Sequence, residues 1–114
     1  MVTILSILEN MPAHIVYGSP DFQNIPIEHV VAGDLMSDIL VSVEAGDILV
    51  TSLATEQAIR TADIVCAAAV LLVNDKLPTH SMKELAESSG ITLLATPLPL
   101  YDACVALGNL ELFS

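Results

Sequence analysis

Seven small or polar residues in the sequence are of the types that bind sugars, phosphates and bases, and most of them lie where an apolar segment ends. They are Gly33, Asp34, Thr51, Ser52, Thr55, Asn74 and Thr96. Hydroxyl, amide and carboxylate groups of this kind hold a ribose, a base edge or a phosphate beside helix N-termini. The same residue types also cap helices without binding a ligand. We therefore take these seven residues as the candidate ligand site, although helix capping alone is the favoured interpretation.

A pair of carboxylates, Asp34 and Asp38, is spaced four residues apart, which places both on one face of a predicted helix. Paired carboxylates can perform acid–base catalysis or hold a divalent cation. Both also fall in the predicted first turn of that helix, where the helix dipole favours negative charge. The dipole interpretation is favoured. A small metal-dependent enzyme that uses Asp34 and Asp38 is the less favoured alternative.

Other catalytic and metal-binding motifs are missing from the sequence. The three histidines, His14, His29 and His80, have no metal-ligand spacing, and there is no GxSxG nucleophile motif. Cys66 and Cys104 lie among small apolar residues and match no zinc pattern. Both thiols are predicted to be reduced and mostly buried, with one disulfide as the alternative. The sequence thus predicts no catalytic residue, no metal site and no cofactor.

An alternation of apolar segments and helical patterns must position the predicted ligand site. Strands are predicted at 14–17, 27–32, 47–53, 67–73 and 91–96. Helices are predicted after the N-caps Thr3, Asp34 and Thr55, after a capping box of Ser81 and Glu84, and after Pro99; Gly46, Gly90 and Gly108 are predicted to end three of them. Continuously apolar strands between helices predict an α/β fold, a small, largely parallel β-sheet flanked by short helices and built from successive βα units.

The predicted ligand residues share one edge of this sheet. Ligands of open parallel sheets bind beyond the carboxyl ends of the strands, where loops and helix N-termini meet. The loops at that edge begin near Gly33, Thr51, Asn74 and Thr96. The four loops are therefore expected to lie side by side around a ligand.

The composition limits both the architecture and the partners. The chain has 114 residues, 54% of them hydrophobic, which suits a single domain spanning residues 1–114. The net charge is −11 and the basic residues are only Arg60, Lys76 and Lys83, so nucleic acids and anionic membranes would be repelled. The longest apolar run, 64–73, is too short to span a membrane. Because the first residues lack a signal-peptide pattern, a cytoplasmic location is expected.

The apolar content also predicts self-association. A domain of this size leaves about a third of its unfolded-chain surface exposed. The mean hydropathy is +0.69, so the polar side chains are too few to cover that surface. Large exposed apolar patches mark interfaces, and a symmetric dimer is the commonest way to bury one. We therefore predict a homodimer, with another protein partner as the alternative.

The order and character of these segments resemble the DRTGG domain family. The resemblance rests on HVVAGDLMSDIL (29–40), GDILVTSL (46–53), AAAVLLVNDKLP (67–78) and ITLLATPLPLYDAC (91–104), and it extends over roughly residues 3–107. The DRTGG domain is a small α/β module similar to the N-terminal domain of HPr kinase/phosphorylase. The Asp-Arg-Thr-Gly-Gly string itself is absent from the sequence, as is the GxxxxGK[ST] loop of a kinase.

This resemblance implies a stand-alone, non-enzymatic module. DRTGG domains are accessory parts of larger enzymes, such as phosphotransacetylases and CBS-containing pyrophosphatases, and they are typically paired. The function expected from the resemblance is therefore regulatory, in a dimeric interaction module that senses a small ligand such as a nucleotide. A structural subunit of a larger complex is the second interpretation.

Overall fold

A five-stranded β-sheet forms the centre of the molecule, described here from a computed structural model over residues 1–110. The strands are His14–Tyr17 (β1), Val30–Ala32 (β2), Ile48–Thr51 (β3), Ala69–Leu72 (β4) and Thr92–Ala95 (β5). Their spatial order is β1-β5-β4-β3-β2. Strands β2 to β5 run parallel, whereas β1 pairs antiparallel with β5. The predicted α/β fold with a largely parallel sheet is confirmed.

Helices cover both faces of this sheet. They are Ile4–Asn10 (α1), Met36–Ser42 (α2), Glu56–Val65 (α3), His80–Ser89 (α4) and Leu100–Gly108 (α5), together with a short 3-10 helix at Phe22–Asn24. Helices α2, α3 and α4 connect successive parallel strands and pack on one face. They share that face because each right-handed crossover steps one strand in the same direction. Helices α1 and α5 pack on the opposite face.

The central strands supply both hydrophobic cores. Every residue of β3, β4 and β5 is buried. Along β4, Val70 and Leu72 face α2, α3 and α4, whereas Ala69 and Leu71 face α1 and α5. This burial on both faces accounts for the continuous rather than alternating apolar sequence of these strands. Among residues 1–110, no helix has the length and apolar character required to cross a bilayer.

The strand predicted at 27–32 is shorter in the structure and begins only at Val30. The residues just before Val30 hydrogen-bond instead to the N-terminal segment of the chain. The Ile27 N–H donates to the carbonyl of Val2 at 2.9 Å, and the Ile4 N–H donates to the carbonyl of Ile25 at 3.1 Å. Ile27 is buried on the α1 side of the sheet. The alternating pattern there therefore comes from pairing with the N-terminal segment rather than from β2.

The N-caps predicted from the sequence are confirmed only in part. The Thr3 cap of α1 is confirmed, because its side chain accepts a hydrogen bond from the Ser6 N–H. The predicted capping box of Ser81 and Glu84 is wrong. Helix α4 is capped instead by Thr79, whose Oγ1 accepts a hydrogen bond from the Met82 N–H at 3.2 Å. Thr79 is the cap because the helix begins at His80, which places Thr79 at the N-cap position and Ser81 inside the first turn.

The glycines predicted at helix ends have three different roles. Gly90 ends α4 in the left-handed conformation, with φ at 71°, as predicted. Gly46 has φ at 89° but lies in the turn before β3, because α2 already ends at Val43. Gly108 is the last residue of α5, which ends at the cap Asn109. Both predictions are therefore wrong: Gly46 lies three positions after Val43, the C-cap of α2, and Gly108 lies one position before the C-cap of α5.

The two cysteines differ in exposure. Cys66 is exposed, which contradicts the prediction that both thiols are mostly buried. It is the left-handed C-cap of α3, with φ at 59°, and the chain reverses there on the surface. Cys104 is partly buried among the residues of α5 that pack on the sheet, and burial raises the pKa of its thiol. The small apolar neighbours of Cys66 indicated burial, but those before it end α3 and those after it lead into β4.

Candidate functional site

Asp34 lies at the carboxyl edge of the sheet and is held by the loop that follows β3. Thr51 Oγ1 donates to Asp34 Oδ1 at 2.8 Å, and the Ser52 N–H donates to the same oxygen at 2.7 Å. Ser52 Oγ donates to Asp34 Oδ2 at 2.5 Å. Asp34 nevertheless stays exposed to solvent. The structure therefore presents a carboxylate that is fixed in position and accessible.

Strand register brings these residues together. Ala32 of β2 pairs with Val50 of β3, and the Gly33 N–H donates to the Val50 carbonyl at 3.0 Å. The two strands therefore end side by side, with Asp34 next to Thr51. Thr51 is fully buried, and its Oγ1 also accepts the Leu53 N–H at 3.1 Å. One hydroxyl thus turns the chain and orients the carboxylate.

The predicted role of Asp34 as the helix cap of α2 is wrong. Leu35 occupies the N-cap of α2, and no side chain caps it. The Asp34 carboxylate is turned toward the β3 loop, where three donors are available. Only Asp38 lies within the first turn of α2. The two carboxylates therefore do not share a helix face, and no group of three or more His, Cys, Asp or Glu within residues 1–110 is placed to hold a metal ion.

The surroundings of Asp34 favour its charged form. The Ser52 hydroxyl is the largest influence holding the pKa of Asp34 below its ordinary value, with burial as an opposing influence and further lowering by the Ser52 N–H, the Thr51 hydroxyl and the charge of Lys76. Asp34 is therefore ionised at neutral pH and can only accept hydrogen bonds. A carboxylate offers about four acceptor positions, and three are taken. A ligand group that meets Asp34 must be a donor, such as a hydroxyl, an amine or an N–H.

Substituting Asp34 by Asn is expected to remove part of the pH dependence of stability on the acid side. The pKa of Asp34 is lower in the folded state than the ordinary 3.8. Its ionised form therefore stabilises the fold above the unfolded pKa, and this contribution is lost as pH falls through the folded pKa. Because Asp34 is exposed, solvent screening keeps the effect small. Urea unfolding between about pH 5 and 2 measures it.

Asp38→Asn is the matched control for this experiment, because Asp38 accepts no hydrogen bond from the β3 loop. The wild-type protein and Asp38→Asn should lose stability together as the pH falls. Asp34→Asn should follow a flatter curve. Three parallel curves would show that the hydrogen bonds to Asp34 contribute nothing to the fold.

Asn74 and Thr96 lie at the same edge but are engaged with neighbouring loops. Asn74 Oδ1 accepts the Leu100 N–H at 3.1 Å and thereby satisfies the start of α5. Thr96 Oγ1 donates to the Pro12 carbonyl at 2.5 Å and accepts the Leu98 N–H at 3.2 Å. The contact of Asn74 matches the capping alternative, whereas Thr96 caps no helix and joins the loop after β5 to Pro12. Any ligand contact by Asn74 or Thr96 stays a prediction.

Helix α3 starts in the same loop as Ser52. Thr55 is at its N-cap, as predicted, but its side chain makes no capping hydrogen bond. The Glu56 carboxylate in the first turn pairs instead with Arg60 at 2.7 Å. The first N–H groups of α3 are therefore not satisfied by Thr55, unlike those of α4, which Thr79 caps.

Two further features of this edge were not assigned from the sequence. Lys76 follows β4 closely enough for its charge to act on Asp34. Leu35 and Leu77 flank Asp34 and Lys76 along the chain and are 61% and 86% exposed. Lys76 could have been found, because it lies in the same loop as Asn74. The two leucines could not, since nothing in their local sequence indicates that they are exposed.

An open groove of about 260 Å³ lies between α3 and α4. Its lining is Glu56, Ser81, Glu84, Leu85 and Ser88. None of these residues belongs to the predicted ligand site. Glu56 and Glu84 already pair within their own helices, with Arg60 and His80.

Fold and site together define a class: a small α/β domain with a covered, mostly parallel sheet and a polar cluster at its carboxyl edge. No protein-family model matches the chain, and no curated protein matches it in sequence. Among solved structures, the chain is similar to the CBS and DRTGG domains of the regulatory region of Clostridium perfringens pyrophosphatase, solved with the activator diadenosine tetraphosphate. The TM-score is 0.74 over 92% of this chain, at 18% identity.

This similarity establishes a related fold. The chain covers 45% of the length of the pyrophosphatase structure, so it corresponds to less than half of that regulatory region. The fold implied by the resemblance to DRTGG domains is therefore supported by an independent comparison of structures. The matched region is regulatory rather than catalytic.

Proposed function

We propose that the chain is a non-enzymatic regulatory module of the DRTGG type, a single domain spanning residues 1–114, that binds a nucleoside-containing ligand at the carboxyl edge of its sheet. The observation that carries the proposal is the Asp34 carboxylate, which is ionised, exposed and fixed by three hydrogen bonds. Ribose hydroxyls are donors that match its remaining acceptor position. The similar regulatory region is complexed with a nucleotide activator, which supports this ligand class.

Other residues at the carboxyl edge of the sheet are suited to bind the phosphate of a nucleotide. The backbone N–H groups that begin α3, next to Thr55, are of the kind that donate hydrogen bonds to phosphate oxygens. Lys76 adds a positive charge near Asp34. Asp34 itself repels phosphate, because both groups are negatively charged at neutral pH. The arrangement therefore favours the ribose at Asp34 and Ser52 and the phosphate toward Thr55 and Lys76.

A nucleotide titration followed by thermal unfolding tests the proposal. Adenosine, AMP, ATP and diadenosine tetraphosphate are compared at equal concentrations. Saturable binding to the folded state raises the melting temperature. Matched 2′,3′-dideoxy nucleotides should produce a much smaller rise, because they lack the hydroxyls that donate to Asp34. If no compound changes the melting temperature, the structural-subunit interpretation is favoured. If a nucleotide is turned over in the presence of Mg²⁺, the enzyme interpretation is favoured.

We further propose that the module acts as a cytoplasmic homodimer. Val41, Ile64 and Tyr101 are 86%, 72% and 77% exposed, although each carries a large apolar side chain. Burying about 800 Å² per partner is ordinary for a stable interface. At physiological salt, repulsion between two chains of charge −11 is largely screened beyond about 8 Å. Apolar burial is therefore expected to outweigh it.

Sedimentation equilibrium at micromolar concentration is expected to give about twice the chain mass of 12.0 kDa. Val41→Ser tests the exposed surface of α2, and Leu77→Ser serves as a comparison on a loop. A monomer mass for the wild-type protein that added salt leaves unchanged would contradict the dimer. Such a result would not contradict nucleotide binding, which the titration tests separately.

A further inference from the structure

The amino edge of the sheet, opposite the Asp34 cluster, holds a histidine beside a buried carboxylate. Asp47 immediately precedes β3 and is 2% exposed. Its Oδ2 accepts the Glu44 N–H at 2.9 Å, whereas its Oδ1 is buried with no hydrogen-bond partner among the described residues. His29 Nδ1 lies 3.4 Å from that oxygen, and the histidine side chain is 58% exposed.

A buried carboxylate oxygen without a donor destabilises the fold. Asp47 Oδ1 cannot be satisfied directly by solvent, because the atom itself is buried. His29 is the side chain placed to supply the missing donor and an opposite charge. An imidazole gains its second N–H and its charge between about pH 8 and 5. Protonation therefore guarantees a donor on Nδ1, facing Asp47.

The pair connects the start of β2 to the start of β3. The Ile48 N–H donates to the His29 carbonyl at 2.9 Å, and the Glu28 N–H donates to the Gly46 carbonyl at 3.0 Å. Strand β2 lies at the edge of the sheet, and it pairs with β3. A side-chain bond at this point therefore secures the first residues of an edge strand.

We propose that His29 and Asp47 form a pH-sensitive latch that fastens β2 to β3 when the imidazole is protonated and loosens β2 when the imidazole is neutral. The other titratable side chains on the segments packed around the pair are Glu28, Asp38, Glu44, Asp63, Cys66, Tyr101, Asp102 and Cys104. None of these eight carries positive charge. Arg60 of α3 is paired with Glu56.

Thermal unfolding of His29→Gln at pH 5.5 and pH 8 tests the latch. The stabilisation requires the protonated imidazole, so it is present at acidic pH and is lost as the pH rises. Relative to wild type, His29→Gln is expected to lower the melting temperature by about 5 °C at pH 5.5 and by less than half of that at pH 8. His14→Gln is the matched control, because His14 is also exposed and starts a strand at the other side of the sheet.

Hydrogen exchange of the Ile48 amide gives a local readout that a general loss of stability would not reproduce. In the wild-type protein, its protection relative to amides of β4 should fall about tenfold from pH 5.5 to pH 8 after correction for intrinsic rates. In His29→Gln, this ratio should not change with pH. Asp47→Asn should behave like His29→Gln; if it does not fold, His29→Gln alone decides. Equal melting-temperature losses at both pH values, or constant wild-type protection of Ile48, would overturn the latch.

Discussion

Replacing Leu71 with Ala is expected to lower the free energy of unfolding by about 2–5 kcal/mol. Leu71 is fully buried in β4, the central strand, and belongs to the core beneath α1 and α5. Both neighbouring strands pair with β4 along its length, so the backbone cannot move inward to fill the cavity. Since small domains are stable by about 5–15 kcal/mol in total, urea unfolding should show a large shift of the midpoint.

Leu77→Ala is the control for this substitution, because it removes the same atoms from a side chain that is 86% exposed. Its effect should stay within about 0.5 kcal/mol. A Leu71→Ala protein as stable as Leu77→Ala would mean that β4 is not the centre of the packed core.

Replacing Asp34 with Ala is expected to weaken nucleotide binding by about 10- to 100-fold. Hydrogen bonds to charged groups contribute about 1.5–3 kcal/mol, and each 1.4 kcal/mol corresponds to a factor of ten in affinity. The substitution removes the acceptor for the ribose hydroxyls and frees the donors of Thr51 and Ser52. Isothermal titration calorimetry at pH 7 with the tightest nucleotide of the titration measures the loss.

Asp38→Ala provides the matched control, since it removes an equal charge from the neighbouring helix. It should bind nucleotide like the wild-type protein. Circular dichroism establishes that both variants are folded before affinities are compared. If nucleotide binds wild type and Asp34→Ala equally well, the binding site lies elsewhere. If nucleotide binds neither protein, the nucleotide proposal itself is wrong.

The sequence was informative where burial alone determines structure. Strands β3, β4 and β5 were predicted from nearly continuous apolar runs, because a strand covered on both faces has few polar positions. Their ends were predicted less well. Val73 and Thr96 remain buried beyond the last residues of β4 and β5 and still donate to the carbonyls of Thr51 and Leu72, so neither burial nor backbone hydrogen bonding marks where these strands end.

The sequence was least informative where distant residues compete for one side chain. An Asp before an apolar helical stripe predicts an N-cap, yet Asp34 binds Thr51 and Ser52, which lie 17 and 18 positions away. That choice depends on the register between β2 and β3, which no local pattern contains. The His29–Asp47 contact escaped notice for the same reason, because each residue alone has the appearance of a surface position at a strand start.

The antiparallel strand β1 gives the chain an uneven order of assembly. The βα units from β2 to β5 join strands that are neighbours both along the chain and in the sheet. By contrast, the contacts that hold the N-terminal segment in place, from Thr96 to Pro12 and from Ser19 to Thr92, span 84 and 73 positions. Such long loops are slow to close. During synthesis on the ribosome, β1 therefore cannot pair until β5 has emerged, and its apolar side chains stay unburied until then.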